Sequence, residues 1–188
     1  SNTAGLASAA ECDDCPAGSA CGTGVTAPTA CAPGTITASD KQPTCSDCEA
    51  GTFQALAGKT ACDTCTEGNY CAEGAAAALP CTAGTFSNTP GLKSAAECND
   101  CPAGSACPEG SVAPLPCPAG SFSNAVGLTS KDDCTRCPAG SSCAVGSTEP
   151  RLCAPGTFAN TTGQSECLPC DGGTFQSLSN ATACEACL

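Results

Sequence analysis

The chain has 188 residues and a net charge of −12, with 18 acidic side chains against six basic ones and no His. It holds 22 Cys but only five Phe, one Tyr and no Trp or Met. That composition excludes one large apolar core and marks a disulfide scaffold. About a dozen large apolar side chains, at roughly 2 kcal/mol each, cannot offset an ordering cost of roughly 1.5 kcal/mol per residue, so covalent cross-links must restrict the unfolded chain instead. Such bonds persist in oxidising compartments, and the chain is expected to be secreted or at the cell surface. The acidic balance speaks against nucleic acid or an anionic membrane as a partner. No apolar run is long enough to span a bilayer.

Along the chain, seven C-x-x-C pairs recur: Cys12/Cys15, Cys45/Cys48, Cys62/Cys65, Cys98/Cys101, Cys134/Cys137, Cys167/Cys170 and Cys184/Cys187. They divide residues 1–188 into one continuous array of cysteine-rich units at about 12–45, 45–62, 62–98, 98–134, 134–167 and 167–184. From Cys98 the frame C-x2-C-x5-C-x9-C-x16 runs to Cys134 and begins again. A shift that lays Cys12 on Cys134 also lays Cys31 on Cys153, Cys65 on Cys187, and SNTAGLAS at Ser1 on SNAVGLTS at Ser123. The chain is therefore expected to be a window on a longer repetitive protein.

Six segments start Cys-x-x-Gly-[Ser/Thr]-[Phe/Ile], at Cys31, Cys48, Cys81, Cys117, Cys153 and Cys170. Four others, at Cys15, Cys65, Cys101 and Cys137, reach the next Cys after five residues. Joining each opening Cys to its next neighbour gives Cys15–Cys21, Cys31–Cys45, Cys48–Cys62, Cys65–Cys71, Cys81–Cys98, Cys101–Cys107, Cys117–Cys134, Cys137–Cys143, Cys153–Cys167 and Cys170–Cys184. Cys12 and Cys187 are left over, with partners beyond the visible ends; a second scheme bonds Cys12 to another cysteine inside the window. Spacing alone does not choose between connectivities.

An apolar residue follows the Gly-[Ser/Thr] in each long loop, at Ile36, Phe53, Phe86, Phe122, Phe158 and Phe175. A Leu stands six residues before the closing Cys at Leu56, Leu92, Leu128 and Leu178, with Leu6 in the cut first unit. The expected fold is a β-poor array of small disulfide-rich repeats, each a short hairpin or irregular loop with Phe and Leu packed on its cystine. The Pro-bearing segments 72–80 and 108–116 are expected to be extended, stiff connectors, so that beads in series form an elongated rod in which each touches only its neighbours.

The grammar of CAPGTF at Cys153, CTAGTF at Cys81 and CEAGTF at Cys48 resembles the ephrin-receptor-like cysteine-rich repeats and, more loosely, the tumour-necrosis-factor-receptor modules. In those families the opening Cys bonds the next Cys after the loop, in agreement with the scheme above. The short CPAGSAC-type loops with Pro-rich segments look most like long surface proteins of protists and algae. The resemblance implies an extracellular rod used as a stalk, coat or fibre, and near-copy units favour a periodic, self-associating role over one tailored ligand site. A receptor or adhesion ectodomain is the rival reading, with Arg136 and Arg151 as its candidate contacts.

Three other patterns carry chemistry. C-x2-C-x13-C-x2-C at Cys45 to Cys65 and Cys167 to Cys187 has zinc-site spacing, but repeat logic and compartment favour cystines, and no cofactor or metal is expected. Acidic residues gather at the joints: Glu11, Asp13 and Asp14; Asp47 and Glu49; Glu97 and Asp100; Asp132 and Asp133. They are read as solvated charge that keeps the chain soluble and extended rather than as calcium ligands. Asn160 and Asn180 lie in glycosylation triplets, with Asn69 in Asn-Tyr-Cys weaker, and Ser and Thr near Pro permit O-linked sugars. With no His base and its thiols committed to bonds, the chain is not expected to be an enzyme.

Overall fold

The computed structural model describes residues 15–23, 25 and 27–187. Leu6, Glu11, Cys12, Asp13, Asp14 and the Ser1 segment lie outside them. The structural element is one turn followed by one hairpin, and the turn explains the motif. In Cys-x-x-Gly-[Ser/Thr], the N–H of the fifth residue donates to the carbonyl of the second, as Thr52 does to Glu49 at 2.9 Å and Ser121 to Pro118 at 3.1 Å. The glycine is the third residue of this turn and takes positive φ, +93° at Gly51 and +82° at Gly120, a geometry that disfavours a side chain. The hydroxyl after it returns to the same carbonyl, 2.7 Å from Thr52 to Glu49 and 2.7 Å from Ser121 to Pro118.

Among the described residues, ten turns lead into ten antiparallel two-stranded hairpins. We number the beads from their opening cysteines, so bead 1 begins at Cys15 and bead 10 at Cys170. Their strands, in chain order, are β1 (Ser19–Ala20) with β2 (Thr29–Ala30), β3 (Thr35–Ile36) with β4 (Ser46–Asp47), and β5 (Thr52–Phe53) with β6 (Asp63–Thr64). Then come β7 (Asn69–Tyr70) with β8 (Leu79–Pro80), β9 (Thr85–Phe86) with β10 (Asn99–Asp100), and β11 (Ser105–Ala106) with β12 (Leu115–Pro116). The last four pairs are β13 (Ser121–Phe122) with β14 (Thr135–Arg136), β15 (Ser141–Ser142) with β16 (Arg151–Leu152), β17 (Thr157–Phe158) with β18 (Leu168–Pro169), and β19 (Thr174–Phe175) with β20 (Glu185–Ala186). The only helical pieces among the described residues are single 3-10 turns, Ala95–Glu97 and Lys131–Asp133. The beads fall into two compact units. One takes in the chain up to Cys81 together with Ser87–Cys98; the other takes in Thr82–Phe86 and the chain from Asn99 on.

Each opening Cys is bonded to the next Cys along the chain, giving the ten pairs named above, from Cys15–Cys21 to Cys170–Cys184. The interior is sulfur. Eleven of the twelve largest fully buried side chains are cysteines and the twelfth is Ser87, so cystine occupies the place an apolar core would hold. Ile36, Phe53, Phe86, Phe122 and Phe158 are half-buried against it, while Phe175 is exposed.

Three expectations need correction, and the joints between beads add a feature beyond them. The segments 72–80 and 108–116 are not extended connectors. Each opens with a second Cys-x-x-Gly turn, Ala75 donating to Ala72 at 3.1 Å and Ser111 to Pro108 at 3.2 Å, and then returns as the second strand, β8 or β12. The signal was present in sequence, because Gly74 and Gly110 stand three residues after a Cys just as the first turn glycines do. Leu56 and Leu178 do not pack on their cystines but are 59% and 70% exposed. They precede the second positive-φ residue of the bead, Gly58 or Asn180, whereas Leu92 and Leu128 follow Gly91 or Gly127 and turn inward. The longer loops place Leu after the turn because they add residues, including the 3-10 turn, between it and the closing Cys.

The beads are also not held one at a time. Within each unit, three backbone bonds recur at a joint. The first turn glycine donates forward, as Gly51 does to the Cys71 carbonyl (2.8 Å) and Gly120 to that of Cys143 (2.8 Å). The residue six after an opening Cys donates to the next bead's second turn, as Cys71 does to Leu92 (2.9 Å) and Cys143 to Gln164 (3.0 Å). The second positive-φ residue donates back to an opening Cys, as Gly91 does to Cys65 (2.8 Å) and Gly163 to Cys137 (2.7 Å). Finally, beads touch second neighbours as well as nearest ones. A Cβ placed on Gly51 of bead 3 would stand 2.5 Å from the carbonyl oxygen of Gly91 in bead 5, and one on Gly84 of bead 5 would stand 2.6 Å from that of Gly127 in bead 7.

Candidate interaction surface

The long and short beads solve one problem in two ways. In beads 4, 6 and 8 the residue six after the opening Cys is the closing Cys, and Cys71, Cys107 and Cys143 are fully buried. In five of the six long beads the same position holds Thr37, Gln54, Ser87, Ser123 or Ala159, all buried, and in bead 10 it holds Gln176, half-buried. In beads 3 and 5 the side chain at this position ties the loop instead. Ser87 Oγ accepts from the Thr89 N–H at 3.1 Å, and Gln54 accepts from the Leu56 N–H while donating to the Ala61 carbonyl at 2.8 Å. The spacing of cysteines gave no hint of this shared position.

The first zinc-spaced quartet is divided among three disulfides, since Cys45 bonds Cys31, Cys48 bonds Cys62, and Cys65 bonds Cys71. In the second, Cys167 and Cys170 are bonded to Cys153 and Cys184, and Cys187 is an exposed free thiol. Its N–H donates to Gly173 just as the Cys65 N–H donates to Gly51, so Cys187 occupies an opening position. Among the described residues no group of three or more His, Cys, Asp or Glu is placed to hold a metal.

The acidic joint residues have local work. Asp133 closes a capping box on the 3-10 turn Lys131–Asp133, its carboxylate accepting from the Ser130 N–H at 3.1 Å while Ser130 Oγ accepts from the Asp132 N–H. Glu97 accepts from the Lys93 N–H at 3.1 Å. Asp47, Glu49, Asp100 and Asp132 are exposed. Asn160 is exposed in a loop where Gln164 donates to its side chain. Asn180 holds φ +63° at the position where most beads have glycine and bead 2 has Lys41 at +62°, and its Oδ1 accepts from Ser141 Oγ at 3.5 Å. Asn69 is spent on its own turn, donating to Thr66 and Glu67.

Two concavities lie in the second unit, and each carries an arginine. One, of about 430 Å³, is lined by Pro118, Gly120, Lys131, Asp132, Arg136 and Gly163; the other, of about 380 Å³, by Ser142, Ser147, Arg151, Leu152, Thr157 and Glu166. Arg136 sits on β14 opposite Ser121, and Arg151 on β16 opposite Ser142. Both are exposed, and neither guanidinium has a hydrogen bond or ion pair among the described residues.

The family model described as tyrosine-protein kinase ephrin type A/B receptor-like matches residues 34–78 and 156–188. Both segments begin at a first turn glycine, Gly34 or Gly156, and run through successive beads. No curated protein matches the chain. Ten disulfides and this family match define an extracellular, disulfide-rich module. No helix among the described residues is long and apolar enough to cross a membrane.

Proposed function

We propose that this chain is part of a repetitive extracellular structural protein whose cystine beads form a stiff rod, and that such rods associate into a filament, surface coat or glycocalyx fibre. The observation that carries this reading is the recurring backbone joint. Three hydrogen bonds and a second-neighbour contact link successive beads in place of free linkers, so stiffness is propagated by the same bonds that build each bead. Near-copy beads offer similar surfaces at regular intervals, which suits self-association. The role is mechanical rather than catalytic. Small-angle scattering is expected to give an elongated particle that loses its length on full reduction, and electron microscopy of concentrated protein to show ordered assemblies. A compact particle, or a chain that stays monomeric at every concentration, would overturn the reading.

The receptor-like family match favours a second reading, an adhesion or receptor ectodomain that takes a protein ligand on the concavities around Arg136 and Arg151. It predicts a saturable one-to-one complex without ordered assemblies.

A further inference from the structure

Charge is unevenly spread along this chain. Between residues 117 and 152 the acids Asp132, Asp133 and Glu149 are balanced by Lys131, Arg136 and Arg151, so the whole net charge of −12 lies outside that stretch. Both arginines of the chain lie inside it. They also occupy particular places on their beads. Arg136 immediately precedes the opening Cys of the following bead and pairs across its hairpin with the residue after the turn glycine. Arg151 stands two residues before the following opening Cys and pairs with the next residue along.

The same two places on another pair of consecutive beads carry carboxylates. Asp47 of bead 2 immediately precedes Cys48 and pairs with Thr35, the residue after Gly34. Asp63 of bead 3 stands two residues before Cys65 and pairs with Phe53. No other consecutive beads have acids at both places, and none but beads 7 and 8 has bases there. All four side chains are exposed. Asp63 has only a 3.4 Å contact from Gln54, and the arginines have no partner among the described residues. Because the joints in the two units repeat the same backbone bonds, the spacing from the first charge to the second is set alike in both.

We propose that beads 7 and 8 of one chain dock on beads 2 and 3 of a second copy, with Arg136 and Arg151 taking the carboxylates of Asp47 and Asp63. This rests on the self-associating reading above and names its contact. Guanidinium is suited to forked, charge-assisted bonding to carboxylate and is favoured at interface anchors. The concavity beside Arg136 adds Lys131, and further carboxylates flank the acidic beads at Glu49, Glu67 and Glu73. The pairing also favours this register, because aligning the acidic stretches of two copies with each other sets carboxylates against carboxylates.

Sedimentation velocity of the intact oxidised chain over a range of salt tests it. Self-association is expected to weaken as salt screens the pairs. The R136D/R151D variant and the D47R/D63R variant are each expected to self-associate roughly tenfold or more weakly than the parent chain. Mixing the two variants should restore a complex, and a chain carrying all four reversals should self-associate again. Exposed charge changes of this kind leave the cystine interior untouched, and the mixture controls for misfolding. If the parent chain assembles and the reversals leave it unchanged, this contact is wrong while the structural reading stands. If the parent chain does not assemble at all, both fall. Loss of binding to a carboxylated polysaccharide in R136D/R151D, with self-association intact, would assign the arginines to a glycan and overturn the proposal.

Discussion

Gly84 and Gly156 both take positive φ, +89° and +79°, at the same place in their turns. Only Gly84 is overlaid by a second-neighbour carbonyl; nothing lies within 4 Å of a Cβ at Gly156. Gly156→Ala is therefore expected to cost only the backbone strain, about 1–2 kcal/mol, while Gly84→Ala adds a clash that must displace bead 7. Hydrogen exchange at the local amides should show the larger loss of protection for Gly84→Ala, spreading to the Gly127 turn. Asn180 stands in a glycine position with φ +63° and donates its N–H to Cys153. Asn180→Gly should be neutral or mildly stabilising and Asn180→Ala should cost about 1 kcal/mol. Glycopeptide mapping of the secreted chain is expected to find sugar on Asn160, which is exposed, and little on Asn180, whose side chain accepts from Ser141.

At the scale of the element, every bead is closed by a cystine, and in long beads such as bead 3 and bead 5 a buried polar side chain six residues after the opening Cys, Gln54 or Ser87, also ties the inner loop. The 14-residue separation of Cys48 and Cys62 makes their bond worth roughly 3 kcal/mol in the chain-entropy model. Replacing both by Ser should lower the stability of bead 3 by about that amount, with Gln54 still holding the inner loop through Ala61 and Leu56. The local scale was also the most legible in sequence. Neighbour pairing of cysteines was readable because every closing Cys lies 6 to 17 residues from its partner, and a short loop leaves few competitors. The turn was readable in Cys-x-x-Gly because only glycine takes its φ readily. Placement of Leu56 and Leu178 was not, because counting back from the closing Cys ignores where the second turn falls.

For the whole molecule, reactivity should follow burial. The closing cysteines of the long loops, such as Cys45, Cys62, Cys98 and Cys134, are half-buried, while both sulfurs of Cys65–Cys71, Cys101–Cys107 and Cys137–Cys143 are enclosed. Thiol–disulfide exchange needs access to a sulfur. Graded reduction with alkylation and mass spectrometry is therefore expected to open the long loops first and the three short ones last. Uniform labelling of all ten bonds at once would contradict this order.

The amino-acid sequence by itself determined the repeat frame, the turn glycines and the acidic surface, and it pointed to the neighbour pairing of cysteines that the structure shows, because each follows from residue type and near-neighbour spacing. Only the tertiary structure decided that the beads are interlocked and that second neighbours touch. Those features are made by backbone N–H and carbonyl groups, which nearly every residue carries. A pattern of side chains cannot announce bonds that do not depend on side chains.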